Sequence, residues 1–318
     1  MKKIFITGGA GFVGSNLCSE FVNSNYEVHA FDSNVQYFYP MNKYSIKNMK
    51  YRHEHLLKNV NLIRGSTLDV NDLRRTINDI KPNYIINLAA LPLAVTAIKK
   101  TEEAFSSILE TTQNLLEIIR DNEFIEKYIH ISSSMVYGDF IENPNPENAI
   151  KEPKEIYGSF KLASEYLVKG YAKRYNFNSV IIRPSAVYGP TDNNYRVIQK
   201  FIESAFEKKK LIANKPRSNR LDFTYVKDLV KGIKLSAVTD LDYLEVFNLT
   251  RGEGRTLQDV IDILRQNIGE FDIEVNDDDS FYPKRGALDI SNAKNKLNYN
   301  PSFSLEDGIK DYISFLKD

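Results

Sequence analysis

The sequence predicts an α/β protein with a doubly wound parallel sheet and a smaller, mixed α/β lobe in its C-terminal part. Short apolar segments alternate with longer segments of helical periodicity, and this alternation is typical of parallel βαβ units. The first strand and helix are joined by a turn rich in glycine. With 318 residues, the chain is long enough for one large sheet and a second lobe.

The glycine turn predicts a dinucleotide site. An apolar strand over residues 3–7 leads directly into a glycine-rich turn in which Gly8, Gly11 and Gly14 are spaced three residues apart, and a helical segment follows. Glycines let backbone N–H groups approach a pyrophosphate, and the start of the helix adds partial positive charge. Asp32 ends the next apolar segment, where a carboxylate accepts hydrogen bonds from ribose hydroxyls and repels a 2′-phosphate. We therefore expect a Rossmann-type domain that binds NAD and disfavours NADP.

The remaining elements follow from the same alternation. Apolar segments rich in β-branched residues predict strands over residues 60–64, 83–90, 127–131 and 179–183. Helical periodicity predicts helices over residues 101–122, 196–209 and 305–317.

Beyond Pro184 the alternation loosens, and Gly189-Pro190 breaks the chain. We therefore expect the dinucleotide-binding domain at residues 1–180, with residues 221–237 returning to it. A substrate-binding lobe is expected at residues 181–318.

The connection after Asp32 is basic. Residues 33–58 hold one acidic side chain, Glu54, against five basic ones, Lys43, Lys47, Lys50, Arg52 and Lys58. A solvated helix face explains this excess, and a basic wall beside the adenosine phosphates is the alternative.

No metal site is predicted. His53 and His55 lie two residues apart, which does not place them on one helix face, and no other ligand cluster accompanies them. Asp277-Asp278-Asp279 lacks the glycine and the spacing of a calcium loop and is expected to be a solvated turn.

Composition argues against several classes of function. The 42 basic residues balance 42 acidic ones, so no overall field attracts the chain to nucleic acid or to a membrane surface. No run of 18 apolar residues occurs, and Met1-Lys2-Lys3 leads into a strand rather than into a secretory signal. The single cysteine, Cys18, is expected in the core. These observations favour a cytoplasmic protein without nucleic-acid or membrane partners.

A candidate catalytic group follows the strand at 127–131. Tyr157 and Lys161 are four residues apart and share one face of a predicted helix. The ammonium, with a positively charged nicotinamide nearby, is expected to lower the pKa of the phenol and make it a usable base. The same spacing occurs at Tyr39 and Lys43, so spacing alone decides nothing. Ser133 distinguishes the first pair, because a hydroxyl just past a carboxyl strand end can share a substrate oxygen with Tyr157.

Nearly the whole chain resembles the extended short-chain dehydrogenase/reductases, in particular the nucleotide-sugar epimerases and dehydratases, such as UDP-glucose and UDP-glucuronate 4-epimerases. The motifs that carry the resemblance lie at residues 7–14, 87–90, 132–138, 157–161, 183–190, 222–228, 285–294 and 297–301. Tyr37-Phe38-Tyr39 also resembles its counterpart in uronic-acid epimerases. Together these motifs are specific for the family, but not for one substrate.

The resemblance implies an NAD-dependent 4-epimerase of a UDP-hexose or UDP-hexuronate that binds between the lobes and passes through a 4-keto sugar. Tyr157 would take the proton of the sugar 4-hydroxyl, Ser133 would stabilise the developing oxyanion, and Lys161 would hold the nicotinamide ribose. A homodimer formed by the helices around residues 101–122 and 157–175 is also implied.

The resemblance also implies a set of contacts. Those to NAD are Gly8, Gly11, Phe12, Val13, Gly14, Asp32, Ser33, Asn34, Ser66, Thr67, Leu88, Ala89, Ala90, Tyr157, Lys161 and Pro184. Those to the nucleotide sugar are Ser133, Ser134, Tyr157, Arg196, Arg220 and Arg285. The arginines suit a diphosphate, because the guanidinium fork can bind it through two hydrogen bonds.

Four positions depart from the family pattern. An arginine, two asparagines and an aspartate of the family are replaced here by Leu221, Ala186, Ile108 and Ser66. In the family, these positions contact the nucleotide, the sugar or the adenine. The candidate catalytic residues Ser133, Tyr157 and Lys161 are all present.

The residues after Ser133 favour epimerisation. Relatives that dehydrate or decarboxylate usually carry an acid within two residues of the catalytic Ser or Thr, whereas Ser134 and Met135 stand here. A thioether cannot transfer a proton. A 4,6-dehydratase or a 4-dehydrogenase/reductase on the same scaffold is the alternative, and a non-catalytic dinucleotide-binding protein is a more remote one.

Overall fold

The computed structural model describes residues 1–37, 40–218, 220–276 and 283–317. Its strands are β1 (Lys3–Thr7), β2 (Glu27–Asp32), β3 (Asn61–Arg64), β4 (Tyr84–Asn87), β5 (Lys127–Ile131), β6 (Ser179–Arg183), β7 (Leu211–Asn214), β8 (Arg220–Asp222), β9 (Leu244–Asn248), β10 (Gly254–Thr256) and β11 (Ile273–Asn276).

The α-helices are α1 (Phe12–Val22), α2 (Lys43–Tyr51), α3 (Val70–Ile80), α4 (Ala94–Lys99), α5 (Thr101–Phe105), α6 (Thr111–Ile119), α7 (Ile156–Tyr175), α8 (Val197–Phe206), α9 (Val226–Val238), α10 (Leu257–Ile268), α11 (Ser291–Leu297) and α12 (Leu305–Lys317). Two π-helical turns (Arg52–Leu56 and Ser106–Glu110) and one 3₁₀ turn (Ser134–Tyr137) complete them.

The central sheet contains seven parallel strands in the order β3-β2-β1-β4-β5-β6-β9. Side chains alternate across it: Ile4 and Ile6 face the core with α1 and α9, whereas Phe5 faces the core with α3, α6 and α7. Cys18 is fully buried in the first of these cores. The strand order reverses between β1 and β4, and ligands bind at such a switch point. The predicted fold class is confirmed.

The C-terminal lobe has its own apolar core, formed chiefly by α8, α10 and α12. Two small sheets belong to it, β8 with β10 antiparallel and β7 with β11 parallel. Helix α9 packs against α1, and β9 pairs with β6 at the edge of the central sheet. A boundary at residue 180 therefore does not describe the central sheet, because its last strand comes from residues 244–248, which were expected in the other lobe.

The helix expected over residues 101–122 is interrupted. A π-helical turn at Ser106–Glu110 separates α5 from α6, and Ile108 points into the protein with 2% exposure. The extra residue of the turn changes which side chains face the sheet. Sequence periodicity did not indicate this interruption.

No helix among the described residues is both long and apolar enough to cross a membrane. Phe38 and Tyr39 of the aromatic segment and the acidic turn Asp277-Asp278-Asp279 lie outside the described residues.

Candidate active site

Gly8 and Gly14 are among the glycines of the first turn that the fold itself requires. Gly8 has a φ of +68°, and a Cβ there would lie 2.9 Å from the backbone nitrogen of Ala89. A Cβ on Gly14 would lie 2.1 Å from the carbonyl oxygen of Gly8. Only glycine therefore allows the first turn of α1 to lie so close to the end of β1.

Gly11 differs, because a side chain there would meet one tight contact that a small shift relieves, rather than several clashes. Its φ of −68° suits any L-residue. Among the described residues, a Cβ would meet only the Gly8 carbonyl oxygen within 4 Å, at 3.1 Å. Gly11 borders a large cavity, so an added methyl group would intrude on the occupant of the cavity rather than on the chain. The glycine turn thus fits a dinucleotide diphosphate, which approaches backbone N–H groups closely.

The cavity measures about 750 Å³ and opens at the switch point between β1 and β4. That volume is within the range of cofactor pockets. The predicted NAD contacts of the N-terminal part all line it: Gly8, Gly11, Phe12, Val13, Gly14, Asp32, Ser33, Asn34, Ser66, Thr67, Leu88, Ala89 and Ala90. The other predicted contacts, Tyr157, Lys161 and Pro184, lie outside this lining.

Asp32 joins the glycine turn to the end of β2. Its carboxylate accepts hydrogen bonds from the N–H groups of Ala10, at 2.9 Å, and Asn34, at 2.7 Å. The same carboxylate borders the cavity. A 2′-phosphate at this point would face its negative charge, which agrees with a preference for NAD over NADP.

Ser133, Tyr157 and Lys161 come together at the end of β5. Ser133 precedes the 3₁₀ turn and accepts a hydrogen bond from the Met135 N–H at 3.2 Å. Gly158 lets the start of α7 approach this turn, since a Cβ there would lie 2.6 Å from the Met135 carbonyl oxygen. The ammonium of Lys161 lies 5.9 Å from the centre of the Tyr157 ring.

The pKa of Tyr157 is raised above its ordinary value, because burial disfavours the phenolate. The positive charge of Arg196 and a hydrogen bond from Ser133 lower it in part. The expectation that Lys161 lowers this pKa stays a prediction. Its ammonium donates to the Ile131 carbonyl at 2.8 Å, and it is not among the groups that shift the pKa of Tyr157.

Lys161 is 5% exposed, and burial lowers its pKa to about 8, against the opposing charge of Glu165. Glu165 itself accepts two hydrogen bonds from Arg183, at 2.8 and 2.6 Å, and one from the Ser132 hydroxyl at 2.6 Å. One buried carboxylate thus joins α7 to the ends of β5 and β6.

Arg196 is the predicted substrate arginine that the structure brings to Tyr157. It directly precedes α8, borders the cavity and donates to Asp192 at 2.7 Å. Its guanidinium carbon lies 5.6 Å from the centre of the Phe12 ring. A cation therefore stands between the dinucleotide cavity and the candidate base.

The other predicted substrate contacts lie elsewhere. Arg285 is near the start of α7, where its charge lowers the pKa of Glu155 that burial raises. Arg220 is exposed and donates to the Gly254 carbonyl at 3.0 Å. Ser134 is 1% exposed and does not line the cavity. The structure thus gives no support to Arg220 and Ser134 as substrate contacts.

Ser134 instead joins two strand ends, because its N–H donates to the carbonyl of Pro184 at 2.9 Å. This bond links the segment after β5 to the segment after β6. Pro184 is thereby placed beside Ser133, although it lies outside the cavity lining.

The basic connection divides into an exposed part, as the solvated-face interpretation predicts, and a part that borders the cavity, where the basic wall beside the adenosine phosphates stays a prediction. Lys43, Lys50 and Lys58 are exposed and form a solvated face. Arg52 is 7% exposed, and both it and His53 border the cavity, because α2 continues into a π-helical turn. The burial of Arg52 could not be derived from its position in a basic segment.

The polar residues that border the cavity and that sequence reasoning missed include Ser107, Asn193 and Asn194. Ser107 lies in the π-helical turn, for which the sequence has no signal. The two asparagines belong to a polar segment after β6, and their position past a carboxyl strand end could have indicated them.

A sequence profile of the GDP-mannose 4,6 dehydratase family matches residues 5–312. The uncharacterized UDP-glucose epimerase YtcB of Bacillus subtilis (strain 168) is 28% identical over 319 residues, which cover 99% of this chain and 98% of that protein. The dTDP-D-glucose 4,6-dehydratase of Mus musculus is 26% identical over 331 residues, covering 99% of this chain and 89% of that one.

Among solved structures, the UDP-glucuronic acid 4-epimerase from Bacillus cereus, in complex with UDP-glucuronic acid and NAD, superposes with a TM-score of 0.89. It is 30% identical, and the match covers 99% of both chains. The predicted family resemblance is confirmed: because the profile spans nearly the whole sequence, this chain belongs to the GDP-mannose 4,6 dehydratase family.

Proposed function

We propose that this protein is an NAD-dependent nucleotide-sugar 4-epimerase that acts through a transient 4-keto sugar. The observation that carries the proposal is that Ser133, Tyr157 and Lys161 come together at the end of β5, with Arg196 between them and a cavity that fits a dinucleotide. The names of YtcB and of the Bacillus cereus enzyme support it.

Each side chain has a role that its surroundings allow. Tyr157 takes the proton of the sugar 4-hydroxyl and returns it when the carbonyl is reduced. Ser133 donates a hydrogen bond to the same oxygen and stabilises its negative charge. Lys161 and Arg196 place two positive charges near the phenolate that forms. NAD, when bound, supplies the acceptor and donor of the C4 hydride.

The turn after β5 favours epimerisation over dehydration. The two positions after Ser133 are a buried serine, Ser134, and a methionine, Met135, and neither can act as an acid. Loss of the 6-hydroxyl needs a second proton transfer, whereas epimerisation needs only the base and a sugar that presents its other face.

One observation favours a 4,6-dehydratase as the second candidate. Glu155 lies two residues before Tyr157, is 3% exposed, and has a carboxylate oxygen without a hydrogen-bond partner among the described residues. Burial raises its pKa, as suits a proton donor. If the protein dehydrates its substrate, Glu155→Gln should abolish that activity and leave the oxidation step intact.

The substrate we propose is a UDP-hexose or a UDP-hexuronate. Arg196, whose charge acts on Tyr157, and Arg285, whose charge acts on Glu155, are proposed to bind the anionic groups of the nucleotide sugar. The Bacillus cereus structure holds UDP-glucuronic acid, which supports this class.

The test is proton NMR of the purified protein with UDP-glucose, UDP-galactose, UDP-glucuronate and UDP-galacturonate. An epimerase inverts the carbinol at C4, whereas a dehydratase yields a 4-keto-6-deoxy product. Tyr157→Phe should lose about 10²–10⁴-fold in turnover while it still binds NAD. Tyr26→Phe, which changes a half-buried tyrosine just before β2, at the opposite end of the central sheet, is the matched control. Full activity of the Tyr157 variant would refute the assigned base.

We also propose a homodimer in the cytoplasm. Helices α5 and α7 expose Phe105, Tyr166 and Tyr175, whose apolar surface would be covered in a dimer. The single cysteine, buried Cys18, agrees with a reducing compartment. Sedimentation equilibrium would show a monomer if the dimer is wrong, and cell fractionation tests the location.

A further inference from the structure

Arg52 is a buried cation that the proposed chemistry does not use. Its Nε donates to the Thr191 carbonyl at 3.0 Å, and its Nη2 donates to the same oxygen. Its Nη1 donates to the Ala10 carbonyl, in the glycine turn, at 3.4 Å. Among the described residues its hydrogen bonds thus go to backbone carbonyls of two distant segments, and burial lowers its pKa only to about 10, so it remains charged near neutral pH.

The segment that Arg52 holds has an unfavourable backbone. Thr191 has a φ of +72° and Tyr195 a φ of +52°, values that cost free energy for a β-branched and for a bulky residue. Asn48, one turn before Arg52, donates to the Asp192 carbonyl at 2.9 Å and to the side-chain oxygen of Asn193 at 2.8 Å. These bonds from α2 compensate for the strained conformation.

The held segment ends in Arg196. Asp192, fully buried, accepts the hydrogen bond from the Arg196 guanidinium. The position of Arg196 beside Phe12 and Tyr157 therefore depends on the conformation of residues 191–196.

We infer that Arg52 is a positioning residue: by clamping the Thr191 carbonyl to the glycine turn, it sets Arg196 for the nucleotide sugar and couples that site to the dinucleotide site. The role of Arg196 toward substrate rests on the proposed function. The clamp itself rests on the contacts of Arg52 alone. Because coupling of two binding sites is reciprocal, NAD should tighten binding of the nucleotide sugar, and the sugar should tighten binding of NAD.

The first test compares Arg52→Lys and Arg52→Met with Lys50→Met, an exposed control that removes one positive charge two residues before Arg52. A lysine keeps the charge but cannot place two donors on one carbonyl. If Arg52 acts by clamping, both Arg52 variants should raise KM for the nucleotide sugar about tenfold, with a smaller change in kcat. Full rescue by Arg52→Lys would show that charge alone is needed and would overturn the clamp.

The second test needs no turnover. Hydrogen–deuterium exchange of the NAD-loaded and NAD-free protein should become about tenfold faster in residues 192–196 of Arg52→Met, but not of Lys50→Met. NAD affinity, measured by calorimetry, should fall in the same variant. Unchanged exchange and unchanged affinity would overturn the inference. If the wild-type protein turns over no nucleotide sugar, but Arg52→Met still shows the faster exchange and the weaker NAD binding, only the proposed function is refuted.

A double-mutant cycle asks whether Arg52 acts through Arg196. On an Arg196→Met background, Arg52→Met should not raise KM any further, whereas independent roles would multiply the two effects. If Arg52→Met does not fold, Asn48→Ala, which removes the second set of bonds to the segment, replaces it in all three experiments.

Discussion

Replacement of Gly11 by alanine separates the glycine that a ligand requires from the glycines that the fold requires. The new Cβ would have the Gly8 carbonyl oxygen at 3.1 Å as its one close neighbour among the described residues, and the backbone φ of −68° is ordinary. We expect the free energy of unfolding to change by less than about 1 kcal/mol, including the loss of glycine at the N-cap.

NAD binding should respond differently, because the methyl group enters the space above the turn. We expect NAD affinity to fall at least about tenfold, or roughly 1.4 kcal/mol. Urea unfolding followed by circular dichroism gives the stability, since the chain has no tryptophan for fluorescence. Isothermal titration calorimetry gives the affinity.

Two alanine variants serve as controls. A Cβ on Gly14 would lie 2.1 Å from the Gly8 carbonyl oxygen, so Gly14→Ala should lower the free energy of unfolding by about 2 kcal/mol. Gly170 is exposed on α7, and a Cβ there would have no neighbour within 4 Å. Gly170→Ala should therefore raise the free energy of unfolding by about 0.5–1 kcal/mol. Wild-type NAD affinity in Gly11→Ala, or a loss of stability like that of Gly14→Ala, would refute the reasoning.

Three further predictions concern the charged groups. Asp32→Ala should weaken NAD binding about tenfold and reduce the preference for NAD over NADP, because the ribose contact and the negative charge are lost. Competition binding of the two cofactors measures the ratio of their affinities, and an unchanged ratio would contradict the prediction. Arg196→Met removes a positive charge that lowers the pKa of Tyr157, so the rising limb of the pH–kcat profile should move to higher pH. An unchanged profile would exclude this electrostatic role of Arg196. Burial lowers the pKa of His130 to about 3, below its unfolded value of about 6.5, so the unfolded chain takes up a proton first as the pH falls. Stability should therefore drop by about 2 kcal/mol between about pH 7 and pH 5, and His130→Gln should reduce that drop in urea titrations; an equal drop in the variant would show that other groups cause it.

Much of the fold could be predicted because its signals are local. The strands β5 and β6 and the helix α12 have the predicted bounds, since each is a short apolar or amphipathic segment between clear turns. The boundary predicted at residue 180 places β9 in the wrong lobe. Glu245 and Asn248 interrupt the apolar pattern of this strand, and its place beside β6 depends on pairing across more than sixty residues.

The candidate site divides in the same way. Motif and spacing predict that Ser133, Tyr157 and Lys161 lie close together, since each position follows from one strand end or one helix face. The direction of the pKa shift of Tyr157 could not be predicted from the sequence, because it depends on burial and on Arg196, which comes from a different part of the chain.

The sequence by itself determined the glycine turn, the alternation of strands and helices, and the spacing of Tyr157 and Lys161, because backbone conformation and helical phase are properties of neighbouring residues. Only the tertiary structure decided that Arg52 is buried against Thr191, which is 139 residues away along the chain, while its lysine neighbours remain in solvent. Exposure and electrostatic environment arise from contacts between distant segments, and no local pattern encodes them.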